Sequence, residues 1–387
     1  MDDQTIRNPF QYGRELDLWE LVDRDAELAE IASTIRNRGK LFLVGPRRFG
    51  KTSLLVAAAQ EAERQGVIVL RFDAEKYETL PLLAQALLTG AARALKGPVE
   101  RTLQAITEVA ARLRPRFSVD PQGSISVGLE PGGQADLPVL TDALDAIDAL
   151  AGRSGRETAV MLDEVQQIVV DGGPTAEKQL RATIQQHRRV SYILAGSAVR
   201  LLSAMTSDVN RPFYRLGARL FLGPLPRDQF REFLQHGFDR GEMQVEPGAL
   251  EHILDLCDDV PYNVQRLAHE AWELLRAGEA RALTPDVVRN SAARIVRRED
   301  PAYTQIWTQL SRNQKKALKA VITHGGQRLQ SAAVSAELGI STSSMQAALR
   351  ALEDVHLIRT LEERGTVAYR PVDPFLAVWL EYAQGAP

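Results

Sequence analysis

Gly45-Pro46-Arg47-Arg48-Phe49-Gly50-Lys51-Thr52, continued by Ser53, fits the pattern G-x-x-x-x-G-K-[ST]. Lys40 to Val44 (KLFLV), just before it, is a short apolar run of the kind that forms a buried strand. Thr52 to Gln65, just after it, has helical spacing. Strand, glycine-rich turn and helix are the context in which this pattern cradles phosphate. Glycines let backbone N–H groups curl around phosphate oxygens, and the helix N-terminus adds partial positive charge. Lys51 is expected to reach the β- and γ-phosphates, and the Thr52 hydroxyl to ligate Mg²⁺. At ordinary residue frequencies, with glycine at about 7%, a chance match in a chain this long arises roughly once in a hundred. Residues 45–53 are therefore the first candidate binding set.

A second half to such a site follows. Thr158 to Leu162 (TAVML) reads as a buried strand that ends in Asp163-Glu164. Asp163 is the candidate Mg²⁺ partner of Thr52. Glu164 is placed to polarise a water for attack on a γ-phosphate. An acid directly after the metal aspartate favours ATPases whose sheet has an added central strand. No N-K-x-D or T-K-x-D stretch supports guanine selection. Tyr192 to Ala195 (YILA) is another buried strand, ending in Gly196-Ser197. Ser197 is a candidate sensor of the γ-phosphate or the water, the alternative being an ordinary strand-ending turn. Arg211-Pro212-Phe213-Tyr214-Arg215 offers two arginines that could reach a γ-phosphate, the alternative being surface arginines.

Working outward, Asp25 to Arg36 is helical and Gly66 to Phe72 (GVIVLRF) is a strand. Helices are expected at 80–96, 98–114 and Leu140 to Ala151. Arg116 to Leu129 alternates around Asp120-Pro121-Gln122-Gly123 as a hairpin. Four apolar strands alternating with helices predict an α/β domain with a parallel sheet. The 387 residues are 44% hydrophobic and 25% charged, ordinary for a globular chain of two or three domains. With 47 Lys and Arg against 50 Asp and Glu the net charge is −3, which argues against wrapping a polyanion over the whole surface. One cysteine, Cys257, makes no intrachain disulfide and no cysteine-based zinc site. MDDQTIRNPF is not expected to act as a signal peptide, and the longest apolar stretches fall short of a membrane span. A cytoplasmic chain without membrane partners is expected.

From residue 226 the strands stop. Pro226–Arg240, Pro247–Asp258, Tyr262–Ala277 and Thr284–Arg298 read as four helices, with Arg297–Asp300 a charged boundary. Beyond it come helices at Ser311–Gly325, Ser331–Leu338 and Ser341–Leu352. Leu357–Leu361 and Thr366–Tyr369 flank Glu363-Arg364-Gly365 as a hairpin. This order is a winged helix. A last helix carries Phe375, Val378 and Trp379 on one side, a candidate partner face. Ser341, Thr342, Ser343, Ser344 and Gln346 could hydrogen-bond base edges. Residues 301–387, however, hold nine Lys or Arg (Arg312, Lys315, Lys316, Lys319, Arg328, Arg350, Arg359, Arg364, Arg370) against seven Asp or Glu. That balance is thin for phosphate binding, so DNA is not the favoured partner.

In sequence order these pieces resemble the archaeal-ATPase group within the AAA+-related signal-transduction (STAND) ATPases. Asn8-Pro9-Phe10 with Tyr12-Gly13 resembles its lead-in, and Val22 to Leu28 (VDRDAEL) its F-x-x-R-x-x-E-L box, with valine for the aromatic. Gly45 to Ser53 matches its phosphate loop, Leu162 to Gln166 (LDEVQ) resembles its D-E-F-Q segment, and Pro212 to Arg215 (PFYR) its P-L-Y-x-R segment. Asp259-Val260-Pro261 stands where the family has G-x-P. The resemblance implies a P-loop ATPase core over 1–224, a helical lid over 225–300 and a winged helix over 301–387. It implies ATP and Mg²⁺ as ligands, Arg215 as an arginine finger, Arg24 near the adenine and Arg266 as a lid sensor. Phe10, Tyr12 and Val22 become candidate base contacts, or else pins for the N-terminal segment. The expected function is slow ATP hydrolysis driving a switch, with a protein partner or self-association. The alternative is a DNA-binding regulator in which nucleotide is mainly structural.

Overall fold

The computed structural model describes residues 7–15, 21–94, 99–122, 124–129, 136–173, 175–363 and 366–383. The chain forms two compact units. One spans Glu15–Gly223; the other comprises Pro224–Pro387 together with the N-terminal residues up to Arg14.

The first unit runs α1 (Asp25–Arg36), β1 (Lys40–Val44), α2 (Lys51–Arg64), β2 (Ile68–Asp73), α3 (Leu80–Ala94), α4 (Val99–Val109), β3 (Pro115–Val119), β4 (Ile125–Leu129), α5 (Asp136–Ser154), β5 (Thr158–Asp163), α6 (Gln166–Asp171), α7 (Ala176–Gln186), β6 (Val190–Gly196), α8 (Val199–Ser207) and β7 (Ala218–Phe221). Its main sheet has the order β2-β5-β6-β1-β7, parallel throughout. Every residue of β5 and β6 is buried, because helices cover both faces of a parallel sheet and each strand must be apolar along its length. On α3, Leu83, Leu87 and Leu88 are buried, and the helix packs on α5. Each such leucine contributes about 1.5–3 kcal/mol of burial.

β6 lies between β1 and β5, so the added central strand is present. The sheet has a fifth strand, β7, that the apolar pattern did not predict. It is an edge strand with Ala218, Arg219 and Phe221 exposed, so no buried run marks it. The helix expected over 98–114 stops at Val109, and Arg114 adopts a left-handed conformation (φ 44°) before Pro115 opens β3. A residue preceding proline is disfavoured in the helical region. β3 and β4 form the expected hairpin; Gly123 in its turn lies outside the described residues.

The second unit contains α9 (Arg227–Asp239), β8 (Gln244–Val245), α10 (Ala249–Cys257), α11 (Pro261–Arg276), β9 (Ala282–Leu283), α12 (Pro285–Gln309), α13 (Arg312–Thr323), α14 (Ala332–Leu338), α15 (Thr342–Asp354), β10 (Ile358–Glu363), β11 (Thr366–Pro371) and α16 (Pro374–Ala383). Thr284 caps α12 through the Val287 N–H, with Pro285 in its first turn. The helix then runs without a break through Arg297–Asp300, the expected boundary, and contains Pro301. Partners explain the continuity. Buried Glu270 binds Arg294 and Arg298, Glu299 binds Arg266, and Asp300 Oδ1 accepts a 2.7 Å hydrogen bond from Trp379 Nε1. α13 to α15 and the antiparallel β10–β11 pair form the winged helix, each helix capped by a serine, namely Ser311, Ser331 and Ser341. The hairpin tip, Arg364-Gly365, lies outside the described residues.

The lead-in belongs to this second unit. Asn8 Nδ2 donates to His269 O (3.1 Å) and Glu273 Oε1 (2.8 Å), His269 Nδ1 donates to Phe10 O (2.8 Å), and Gln11 N donates to Gln265 Oε1 (3.1 Å). Phe10 is 0% exposed, with ring centroids 4.8 Å from Phe238 and 5.9 Å from Phe233. Its side chain is thus a core residue, not a base contact. Tyr12 stands edge-on to Tyr262 and His269, while Val22 is half-buried. Among the described residues no helix is long and apolar enough to cross a membrane.

Candidate functional site

β1 delivers the chain to Gly45. A Cβ there would sit 2.8 Å from Leu222 O, so only glycine lets the end of β1 pass this close to the end of β7. Arg48 and Gly50 are left-handed (φ 72° and 89°) and curl the loop into α2. Gly50 is the N-cap and contributes no side-chain hydrogen bond, which suits the helix start to an anion. Phe49 is buried and anchors the loop, so only its backbone is available to a ligand. Ser53 is buried in the first turn, and Arg47 forms an exposed pair with Glu75. Lys51 is buried and its Nζ donates to Pro46 O at 3.1 Å. Burial pushes its pKa down, and the charges of Glu164 and Asp163 oppose that shift.

β5 carries the acids to the same edge of the sheet. Asp163 is 2% exposed; its Oδ2 accepts a 2.7 Å hydrogen bond from Thr52 Oγ1 and its Oδ1 one of 3.0 Å from Glu164 N. Burial raises its pKa, opposed by the Thr52 hydrogen bond. Glu164 sits in the left-handed turn (φ 50°) between β5 and α6. Its Oε2 accepts from Gln166 Nε2 (2.5 Å), Ser197 N (3.0 Å) and Ser197 Oγ (2.8 Å). Burial pushes this carboxyl up, but the Gln166 and Ser197 hydrogen bonds and the Lys51 charge outweigh it and hold the pKa below the usual value. Lys51, Thr52, Asp163, Glu164 and Ser197 are thus gathered at the carboxyl ends of neighbouring strands, where open α/β sheets bind ligands.

Mg²⁺ takes oxygen ligands and is typically held by one or two carboxylates plus substrate phosphates and water. The paired Thr52 and Asp163 oxygens fit that role. No group of three or more His, Cys, Asp or Glu able to hold a metal occurs among the described residues.

The remaining candidates have contacts of their own. Arg24 is buried, with Nη1 on Glu27 (2.6 Å) and Nη2 donating to Gly223 O (2.8 Å); it ties α1 to the chain leaving β7. Arg215 is exposed, left-handed (φ 56°) and stacked 5.0 Å over the Tyr214 ring. It makes no hydrogen bond to the Lys51–Glu164 group among the described residues. Its segment is clamped to α7: Glu177 accepts from Arg211 Nε (2.9 Å) and Phe213 N (3.0 Å), and Arg181 donates to Tyr214 O (2.7 Å). Arg266, expected as a lid sensor, is occupied by Glu299 and lies 5.0 Å over Phe375. Asp259 has φ 53°, a conformation that glycine adopts most freely, and binds Arg227 at 2.9 Å. In the sequence Gln166 stands out only as the last residue of the D-E-F-Q-like segment, with no role attached, and Glu177, a single acid on a mostly polar helix, carries no pattern.

In the winged helix, Thr342, Ser343 and Gln346 are exposed, while Ser341 caps α15. Most of its cations are engaged within the unit. Lys316 donates to Leu338 O and Gly339 O, Arg359 and Arg370 bind Asp258, and Lys315 and Lys319 lie 5.4 and 5.7 Å over Trp307. Phe375 and Trp379 are buried, so the expected partner face of α16 is largely internal.

Residues 301–382 match the family described as "Probable winged helix domain". No curated protein matches the chain. Among solved structures, the chain is similar to the Walker-type ATPase of Pyrococcus abyssi (TM-score 0.64, 20% identity, covering 96% of this chain and 99% of that one). It is also similar to the ORC2 protein of Aeropyrum pernix in its ADPNP–ADP complexes (TM-score 0.55, 17% identity, 98% and 99% covered). The ADP form of that protein gives a TM-score of 0.52 at 17% identity. The fold is therefore the parallel α/β core of P-loop ATPases with a C-terminal winged helix.

Proposed function

We propose that this protein is an Mg²⁺-dependent ATP hydrolase of slow turnover that works as a nucleotide-driven switch, in the manner of the archaeal-ATPase group of STAND ATPases. One observation carries the reading: a buried lysine in a glycine-built loop at a helix N-terminus, beside a Thr52–Asp163 pair and a Glu164 whose carboxylate is held by Gln166 and Ser197. A buried ammonium hydrogen-bonded to a loop carbonyl is costly in a purely structural role, and phosphate is the partner that such a loop suits. Adenine is favoured over guanine because no guanine motif is present and because the similar ORC2 fold is seen with ADPNP and ADP.

In this reading the loop amides and Lys51 bind the β- and γ-phosphates. Thr52 and Asp163 would hold Mg²⁺, which supplies charge neutralisation at the phosphates. Glu164 accepts a proton from the attacking water, and Ser197 keeps its carboxylate in place. The hydrolytic part is the core, residues 225–300 serve as a lid, and the winged helix transmits the state to a protein partner or a second copy. Arg215, exposed and carried on a segment that Glu177 and Arg181 clamp to α7, suits a finger offered to a neighbouring copy.

The test is calorimetry and steady-state hydrolysis with Mg²⁺. Lys51→Ala is expected to abolish ATP binding, and Glu164→Gln to keep binding while turnover is lost. ATP binding by Lys51→Ala at wild-type affinity refutes the site.

A further inference from the structure

Gln166, the first residue of α6, is bound in a way that packing alone does not explain. Its neighbour Glu164 is a carboxylate that only accepts, so the Gln166 amide must turn Nε2 toward Glu164 Oε2. That orientation buries Gln166 Oε1 with no hydrogen-bond partner, an unfavourable state for a carbonyl. Oε1 occupies the space over Gly196: a Cβ at that position would lie 2.2 Å from it and 2.6 Å from Leu202 Cδ1. An apolar side chain would fill the same space without an orphaned oxygen, so the amide is explained by what it does for Glu164.

What it does follows from counting donors. Oε2 of Glu164 receives Gln166 Nε2, Ser197 N and Ser197 Oγ. Among the described residues no hydrogen bond reaches Oε1 of Glu164. One oxygen is anchored and the other is left as an acceptor of fixed direction, which is the preorganisation a general base needs.

We propose that Gln166 is a positioning residue for ATP hydrolysis: with Ser197 it fixes one oxygen of Glu164, so that the other alone meets the attacking water, and Gly196 provides the room for it. The proposal rests on the ATPase reading above. In the step it serves, the water oxygen bonds to the γ-phosphorus and the bridging P–O bond breaks, its electron pair leaving on ADP. One water proton passes to Glu164 Oε1.

The experiment is a kinetic split on the full-length protein. Gln166→Met keeps the length without the donor, and Gln166→Asn keeps the amide but falls short of Glu164. Both are expected to lower kcat about tenfold with ATP affinity by calorimetry unchanged. Gly196→Ala should reproduce that loss by displacing the amide. In the Glu164→Gln background, Gln166→Met should leave the residual rate unchanged, because its effect runs through the carboxylate. Wild-type kcat in both Gln166 variants, or the same fold loss in the Glu164→Gln background, overturns the positioning role and leaves the ATPase reading intact. A wild-type protein that neither binds nor hydrolyses ATP overturns both.

Discussion

Alanine at position 237 sets two effects of opposite sign against each other. Gly237 lies inside α9, where alanine ordinarily stabilises a helix by about 1 kcal/mol. Here a Cβ would lie 2.3 Å from Phe10 Cζ and 2.5 Å from Phe10 Cε1. The ring, fully buried between Phe233 and Phe238, has to leave. Losing a buried phenylalanine costs about 3–5 kcal/mol, so Gly237→Ala should destabilise this unit by about 2–4 kcal/mol. In a Phe10→Ala background the clash is gone and the same change should stabilise, by up to about 1 kcal/mol. Urea denaturation followed by tryptophan fluorescence reads this well, because Trp272, Trp307 and Trp379 all lie in the unit concerned. A stabilising or neutral Gly237→Ala with Phe10 present, or the same sign in both backgrounds, refutes the docking of the lead-in on α9.

Three further outcomes are expected. Arg215→Ala should lower hydrolysis without lowering ATP affinity, and mixing it with Glu164→Gln should restore part of the rate; a rate independent of protein concentration from a strictly monomeric protein counts against a finger shared between copies. The full-length protein should bind random duplex DNA weakly at physiological salt by fluorescence anisotropy, with a shallow salt dependence; submicromolar wild-type binding with a steep slope lost on Lys315 and Lys316 substitution would promote the DNA-regulator alternative. Cys257 is 0% exposed and burial raises its thiol pKa, so iodoacetamide should label it only as fast as the protein opens, and labelling at the rate of a free thiol refutes its burial.

Legibility in the sequence followed the physics of each element. β1, β5 and β6 are buried on both sides, so each appears as an unbroken apolar run. β7, exposed at the sheet edge, leaves no such trace. The helices α7 and α8 also escaped notice: α7 (AEKQLRATIQQ) is mostly polar, and only Ala176, Glu177, Leu180 and Ile184 are buried on it. The phosphate loop was readable because its chemistry is local, compressed into eight consecutive residues. The support of Glu164 was not, because Ser197 follows another strand, β6, and Gln166 acts through one hydrogen bond. Arg297–Asp300 precedes the residues that match a winged helix, 301–382, but the continuity of α12 through it was not legible. A run of charges ordinarily signals solvent, whereas here Glu270, Arg266 and Trp379 supply partners from distant positions. Phe10 shows the limit of analogy, since its place in a motif did not reveal that Gly237 had made room for it.

The unbroken α12 gives the second unit a lever. At 1.5 Å per residue its 25 residues span about 37 Å. Its early turns are seated by Val288, Ala292, Ile295 and Val296, and its later ones by Tyr303 against Trp379. A tilt of about 10° at one end of such a rod displaces the other by about 6 Å. Its weak point is Pro301, which cannot donate to the carbonyl one turn back, and the stays from Glu270, Arg266 and Trp379 attach at Arg298, Glu299 and Asp300, immediately beside it. A rocking of α10 and α11 would therefore reach the winged helix as a swing of fixed direction, where a slack tether would have dissipated it.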